Sequence, residues 1–276
     1  MSFQVAIVAR DEESFVGRCI ESLIKGGTSN QQIILVAHLC RDRTVEKARK
    51  YGVTVVNCDK TYGDAFNMAL AIGDSEYLIF MDADSVVPEG WSTRIETVVV
   101  KLFEGDPRLA GVGCFLLPYR NTSLLKRVEW LVYNHTQIRK MRRGKIDSLA
   151  GGTVWKRSAL LRIGGFKAVS GGPEPELCRR LLESGYRLRI TKEVNVYHEF
   201  LHKLYIFGGF RVPQNARDRY FLRKVLASPL SGVMLSINSW MMTHDAASFT
   251  LAFYYPARSY FILFLSILSC VRSRFG

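Results

Sequence analysis

Four short apolar runs, each followed by a segment with helical spacing, fill the first hundred residues of this 276-residue chain. Phe3–Ala9 precedes Glu12–Ile24, in which Phe15, Cys19, Ile20, Leu23 and Ile24 recur at the helical period. Ile33–Ala37 precedes Thr44–Tyr51, and Val53–Val56 precedes Asp64–Ile72, which Gly73 closes. Tyr77–Met81 breaks straight into Asp82-Ala83-Asp84, after which Pro88 and Gly90 prepare a helix over Trp91–Phe103. Apolar runs of this length, separated by amphipathic segments, predict an α/β fold whose mostly parallel sheet carries helices on both faces. Ligands of such sheets bind beyond the carboxyl ends of the strands. Arg10-Asp11-Glu12-Glu13, Arg41-Asp42-Arg43 and the Asp82/Asp84 pair each follow a strand, so they are expected on one rim.

A second half-domain is expected over 108–200. It has a strand at Leu109–Leu117, a basic helical stretch at 123–140 and a segment from Leu149 to Gly164-Gly165-Phe166. A short helix at Glu174–Ser184 and strands at Tyr186–Ile190 and Val194–His198 complete it. The division is therefore 1–200, split at 107/108, and a C-terminal helical region at 201–276 that is basic and then apolar.

The net charge of +13 is unevenly distributed. Residues 1–119 hold 12 basic and 16 acidic side chains, residues 120–167 hold 12 and 2, and residues 200–276 hold 9 and 2. Such asymmetry implies an anionic partner for one face. The basic stretches carry no RNA- or DNA-binding motif, so nucleic acid is not expected. The six cysteines lack metal or redox spacing and read as reduced residues of a cytosolic compartment. No signal peptide is expected from the N-terminal sequence. Residues 246–271 are apolar apart from Arg258 and are interrupted by Pro256; the run SYFILFLSILSCV is short of the ~20 residues of a spanning helix. An interfacial, re-entrant or buried helix all fit. The flanking Arg258, Arg272 and Arg274, with Tyr254, Tyr255 and Tyr260, favour an interface anchor.

Asp82-Ala83-Asp84 is the sharpest chemical signal. Two carboxylates one residue apart at the end of an apolar strand place hard oxygen ligands on a turn, as Mg²⁺ or Mn²⁺ requires. The same spacing also serves turns in which both carboxylates bond backbone amides.

Seven ordered segments resemble a family 2 glycosyltransferase of the GT-A fold: VAIVARDEESFVGRCIESLI, CRDRTVEKARKYG, YGDAFNMAL, YLIFMDADSVVPEGW, LAGGTVWKRSALLRIGGF, GGPEPELCRRLLESGYRL and VNVYHEF. The resemblance runs from about residue 3 to residue 200. It implies an inverting, metal-dependent hexosyl transfer from a nucleotide-diphosphate sugar to a glycan or lipid-linked acceptor. The metal would be Mn²⁺ or Mg²⁺, held by Asp84 and Asp82, with His198 beside it. Ala9, Arg10 and Glu12 correspond to positions that line the base and ribose. Asp42, Asp64, Asn67, Asp82 and Arg217 complete the donor-binding set. Glu174 matches the carboxylate that takes the acceptor's proton, with Glu176 two residues on; a helix dipole at this N-terminus would favour the anion.

The chain departs from the family pattern at three places. Ala37-His38 stands where an acidic residue usually ends the second strand, Asp64 replaces a basic residue, and Pro173 replaces the acid before Glu174. These changes leave open a weakened, GT-A-fold sugar-nucleotide-binding or scaffold protein. A nucleotidyltransferase would need a Gly-rich basic loop after the first strand, which Arg10-Asp11-Glu12-Glu13 is not. The basic and apolar C-terminal region adds an anionic membrane surface as partner. It implies a peripheral or monotopic position on the cytoplasmic side of a membrane.

Overall fold

In the computed structural model, eight strands form one sheet in the order β3-β2-β1-β4-β7-β6-β8-β5. They are β1 (Phe3–Ala9), β2 (Ile33–His38), β3 (Thr54–Cys58), β4 (Tyr77–Met81), β5 (Ser85–Val86), β6 (Leu109–Pro118), β7 (Thr153–Lys156) and β8 (Arg187–His198). The structure describes residues 3–119, 151–168, 173–199, 226–243 and 246–254, with single residues and short pieces at 127–149 and 256–260. The basic helix expected over 123–140 lies mostly outside the described residues, and the stretch 200–225 wholly so.

β1 to β4 are parallel, as the alternation predicts. β1, β2 and β4 are buried almost throughout, because helices cover both faces. β3, at the edge, is half exposed. The helices of this half are α1 (Val16–Lys25), α2 (Thr44–Arg49) and α3 (Tyr62–Ala71), then α4 (Trp91–Arg94) running through a π-helical turn at Ile95–Val100 into α5 (Lys101–Gly105).

The second half differs from the expectation in two ways. β7 is antiparallel to both its neighbours, β4 and β6. The two strands expected at 186–190 and 194–198 are one strand, β8, which runs parallel to β6 with two register shifts. Irregular pairing lets the chain continue through the polar Thr191-Lys192-Glu193 without a turn. α6 (Arg157–Arg162) and α7 (Glu174–Glu183) pack on this half.

Phe66 of α3, Phe80 of β4 and Phe166 form a three-ring cluster with centroids 4.6–5.2 Å apart. Each such pair contributes about 0.5–1.5 kcal/mol beyond its buried area. The cluster fixes the Gly164-Gly165-Phe166 corner against the sheet. Asn67 adds to the same joint: its amide donates to the Phe166 carbonyl and accepts from the Phe166 N–H, both at 2.8 Å.

By its internal contacts the chain divides into two units, residues 1–119 with 139–199, and residues 120–138 with 200–276. In the second unit, α8 (Ser228–Thr243) precedes a short 3₁₀ turn at Ala246–Thr250.

Arg157 secures the first unit from inside. It is buried, and its guanidinium donates to the carbonyls of Ser75 (2.6 Å) and Leu70 and to Gln4 Oε1 (2.6 Å). Arg157→Met would leave those carbonyls unpaired, at about 1–3 kcal/mol each. A lowered urea midpoint is expected, with Arg157→Lys intermediate because it restores charge but not the planar fork.

Candidate active site

The chain leaves β1 toward β2 and β3, then returns to place β4 on the opposite side of β1. The carboxyl ends of β1 and β4 therefore border a topological switch point, where such sheets open a crevice. Ala9 and Arg10 end one strand, and Asp82, Ala83 and Asp84 follow the other. A turn closed by Ser85 N–H to the Asp82 carbonyl (3.0 Å) leads into β5. That two-residue strand pairs antiparallel with the end of β8, Ser85 opposite His198 and Val86 opposite Tyr197. The pairing sets His198 Nε2 3.2 Å from Asp84 Oδ1 and 3.5 Å from Asp82 Oδ2. One ligand atom from each of the three residues lies within 4.8 Å of the other two.

The electrostatics of this cluster follow from partial burial. Asp84 is pushed up to about 6, chiefly by burial; the Asp82 charge adds to the rise and His198 opposes it. Burial by itself lowers the basicity of His198, but its hydrogen bond to Asp82 and the charges of both carboxylates raise it overall. Two acids and an imidazole so placed need either shared protons or a cation. The donor set fits a divalent ion: two hard oxygens and one nitrogen, which Mn²⁺ accepts more readily than Mg²⁺. Gly151 supports the fit, since a Cβ there would collide with the Asp82 carboxylate. Behind the pair, Cys19 is a buried thiol that donates to the Asp82 carbonyl at 3.6 Å, and burial keeps it protonated.

Glu174 is the first residue of α7 and lies within electrostatic reach of Asp82. Its carboxyl is pushed up to about 7, mainly by burial and further by the Asp82 charge. The expected stabilisation of the anion by the helix end is thus outweighed. Glu176 has the opposite character. It holds Arg180 Nε with both oxygens (2.8 and 2.9 Å), and its acidity is strengthened by Arg180, Lys167 and Arg179. Arg180 in turn donates to the carbonyls of Ile163 and Gly165. Glu176 is therefore a brace for the Gly164-Gly165 corner.

The remaining predicted donor-side residues are placed as follows. Ala9 is buried, Arg10 is exposed, and Glu12 is half-buried with its N–H on Thr44 Oγ1 at 2.8 Å. Asp42 accepts from the N–H groups of Thr44 and Glu13 and from the Thr44 hydroxyl, which fastens the first two rim loops together. Asp64 forms a capping box with Thr61 at the start of α3. Asn67 is engaged at the Phe166 joint already described. Arg217 lies outside the described residues. His38, at the end of β2, is buried, 2.9 Å from the Lys60 carbonyl and edge-on to Tyr62.

At two rim positions the sequence does not signal the backbone conformation. Asp11 and Leu39 follow β1 and β2 with φ of 54° and 52°, the left-handed region that bulky residues rarely adopt. Asp11 is held there by accepting the Arg41 N–H at 2.7 Å.

Fold and cluster together define a Rossmann-like enzyme scaffold with a DxD–His centre at its switch point. The chain belongs to glycosyl transferase family 2, whose sequence profile matches residues 4–164, and its activity type is glycosyl transfer. Among solved structures it is similar to the mannosyltransferase PcManGT from Pyrobaculum calidifontis in complex with GDP-Man and Mn²⁺. That likeness has a TM-score of 0.60 at 18% identity and covers 91% of this chain and 72% of that one. S. aureus TarS in complex with UDP-GlcNAc gives 0.56 at 12% identity, over 94% and 83% of the two chains. Glucosyl-3-phosphoglycerate synthase from Mycobacterium tuberculosis with phosphoglyceric acid gives 0.50 at 18%, over 72% of each. At these identities the likeness establishes the GT-A fold. No curated protein is significantly similar to the chain in sequence.

Gly151→Ala must push the Asp82 carboxylate aside. Mn²⁺ affinity measured by calorimetry is expected to fall roughly 10–100-fold, the usual effect of disturbing a ligand's support, while the melting temperature changes little.

Proposed function

We propose that this protein is an inverting, metal-dependent hexosyltransferase. It would move a sugar from a nucleoside-diphosphate donor to a glycan or lipid-linked acceptor at the cytoplasmic face of a membrane. The observation that carries the reaction type is the convergence of Asp82, Asp84 and His198 on one point, with Glu174 at the start of α7 within electrostatic reach of Asp82. The complexes of similar folds with GDP-Man and Mn²⁺ and with UDP-GlcNAc support the donor class.

Asp82, Asp84 and His198 would hold Mn²⁺ or Mg²⁺, which supplies Lewis-acid stabilisation of the departing diphosphate. The β1 rim, with Arg10 exposed and Ala9 flush with the sheet end, borders the place for the nucleoside. Glu174 takes the proton of the acceptor hydroxyl as that oxygen bonds to the anomeric carbon; the bond to the diphosphate oxygen breaks, and the nucleoside diphosphate leaves with the electron pair. Burial suits Glu174 to this role, since a base with a pKa near working pH is still ionised yet holds the proton firmly.

Two departures from the family pattern have structural occupations. His38 packs on Tyr62, and Pro173 is the N-cap of α7, its carbonyl accepting from the Leu177 N–H.

The sign of the pH dependence follows from Glu174. Below about pH 7 the carboxyl is protonated and cannot accept a proton, so kcat/KM is expected to rise through that region and level off above it. Glu174→Gln is expected to remove this limb and lower turnover roughly 10²–10⁴-fold with donor affinity nearly unchanged. A nucleotide-sugar transfer assay with Mn²⁺ at several pH values measures both. Full activity in Glu174→Gln would remove the base assignment.

A further inference from the structure

Helix α8 is built inside out. Leu230, Val233, Met234, Ile237, Trp240 and Met241 are between 42 and 68% exposed. Their spacing of three and four residues places them on one stripe of a 3.6-residue helix. The buried positions of the same helix are mostly small: Ser228, Gly232 and Ser236, with Leu235. Gly232 is where the following segment comes closest, since a Cβ there would meet the carbonyls of Leu251 and Ala252 at 3.1 and 3.0 Å. A water-facing helix normally buries its large apolar side chains and exposes polar ones. Here small residues make the internal contact, and the large ones face outward. The stripe extends into that segment: the Trp240 and Phe249 rings lie 6.0 Å apart, and Phe249 and Phe253 are exposed.

The sequence around the helix says what covers this face. No Asp, Glu, Lys or Arg occurs between Lys224 and Asp245. Just before it, Arg211–Lys224 holds five basic residues against the single acid Asp218; after Asp245 the charges are Arg258, Arg272 and Arg274. An uncharged apolar stripe set in a sequence, 211–276, that holds eight basic residues against the two acids Asp218 and Asp245 is complementary to an anionic lipid surface, whose acyl boundary takes the stripe and whose headgroups take the cations. A second copy of the chain would bring the same cations to the interface and repel them. With 16 residues the helix is about 24 Å long, and no helix among the described residues is long and apolar enough to cross a membrane.

We propose that the outward stripe of α8, Leu230 to Met241, is an in-plane membrane-docking face held against anionic headgroups by the basic residues that flank it in the sequence. This names the surface that the membrane-borne acceptor reading requires and rests on that reading for its purpose.

The test uses the full chain and vesicles of phosphatidylcholine with about one-third phosphatidylglycerol, a composition that supplies an anionic surface. Wild type is expected to co-float with them at low salt, less strongly with pure phosphatidylcholine, and to keep a salt-resistant fraction. Leu230→Glu/Ile237→Glu changes two exposed side chains and is expected to weaken vesicle binding at least ~10-fold. The control Leu161→Glu, exposed in the first unit, is expected to leave it unchanged. Mn²⁺ binding and donor hydrolysis should be the same in all three proteins. If they are normal while wild type ignores anionic vesicles, or while the double variant binds as wild type does, the docking face is overturned and the transferase reading stands. If vesicle binding behaves as stated but no protein turns over a nucleotide sugar, the transferase reading fails and the docking face stands. Conversion of a wild-type dimer to monomer by the double variant, without vesicle binding, would assign the stripe to self-association and overturn the proposal.

Discussion

The two-residue pairing of Ser85 and Val86 with His198 and Tyr197 determines how the chemistry of this domain is assembled. The DxD turn leaves β4 in the nucleotide half, whereas His198 ends the last strand of the other half, more than a hundred residues later. Their meeting is enforced by backbone: Glu199 N–H donates to the Asp84 carbonyl at 3.1 Å, and the Glu199 carboxylate holds Arg18 of α1 at 2.9 Å. Partial burial, with the Asp82 charge adding to it, raises Asp84 to about 6. A site of this kind is a receptor for positive charge, satisfied by the His198 proton or by a cation.

The acceptor side is organised by packing. The Phe66–Phe80–Phe166 cluster, the Asn67 tether and the Arg180 bonds to Ile163 and Gly165 converge on one corner beside α7. Rigid support of this sort holds Glu174 half-buried at the start of α7, within electrostatic reach of Asp82, a placement that a loose loop would relax. The two glutamates of α7 therefore divide the work. Glu176 is neutralised by three cations and holds the corner, while Glu174 has none of those partners and rises to about 7.

Much of the fold was legible because parallel strands buried on both faces read as continuous apolar runs, and β1, β2 and β4 begin and end within a residue of where the sequence places them. The DxD turn was legible for the same reason, as charge that interrupts such a run. Other features were hidden. β5 is two residues long, and β7 reverses direction without any compositional mark. The dipole at α7 argues for an acidic Glu174, but desolvation, which depends on tertiary neighbours, is larger. Asp42 and Asp64 carry the residue types of ligand binders, yet their oxygens cap turns and a helix. The outward stripe of α8 escaped as well, because hydropathy reports how apolar a residue is and not which way it faces.

The central claim is that Asp82, Asp84 and His198 form one divalent-cation site, and pulsed electron paramagnetic resonance of the Mn²⁺-loaded protein tests it most directly. Two oxygens and one imidazole around the ion predict nitrogen modulation of the Mn²⁺ echo at one ion per chain, abolished in His198→Gln while the folded protein persists. Mn²⁺ bound without nitrogen coupling, or with coupling unchanged in His198→Gln, would contradict it.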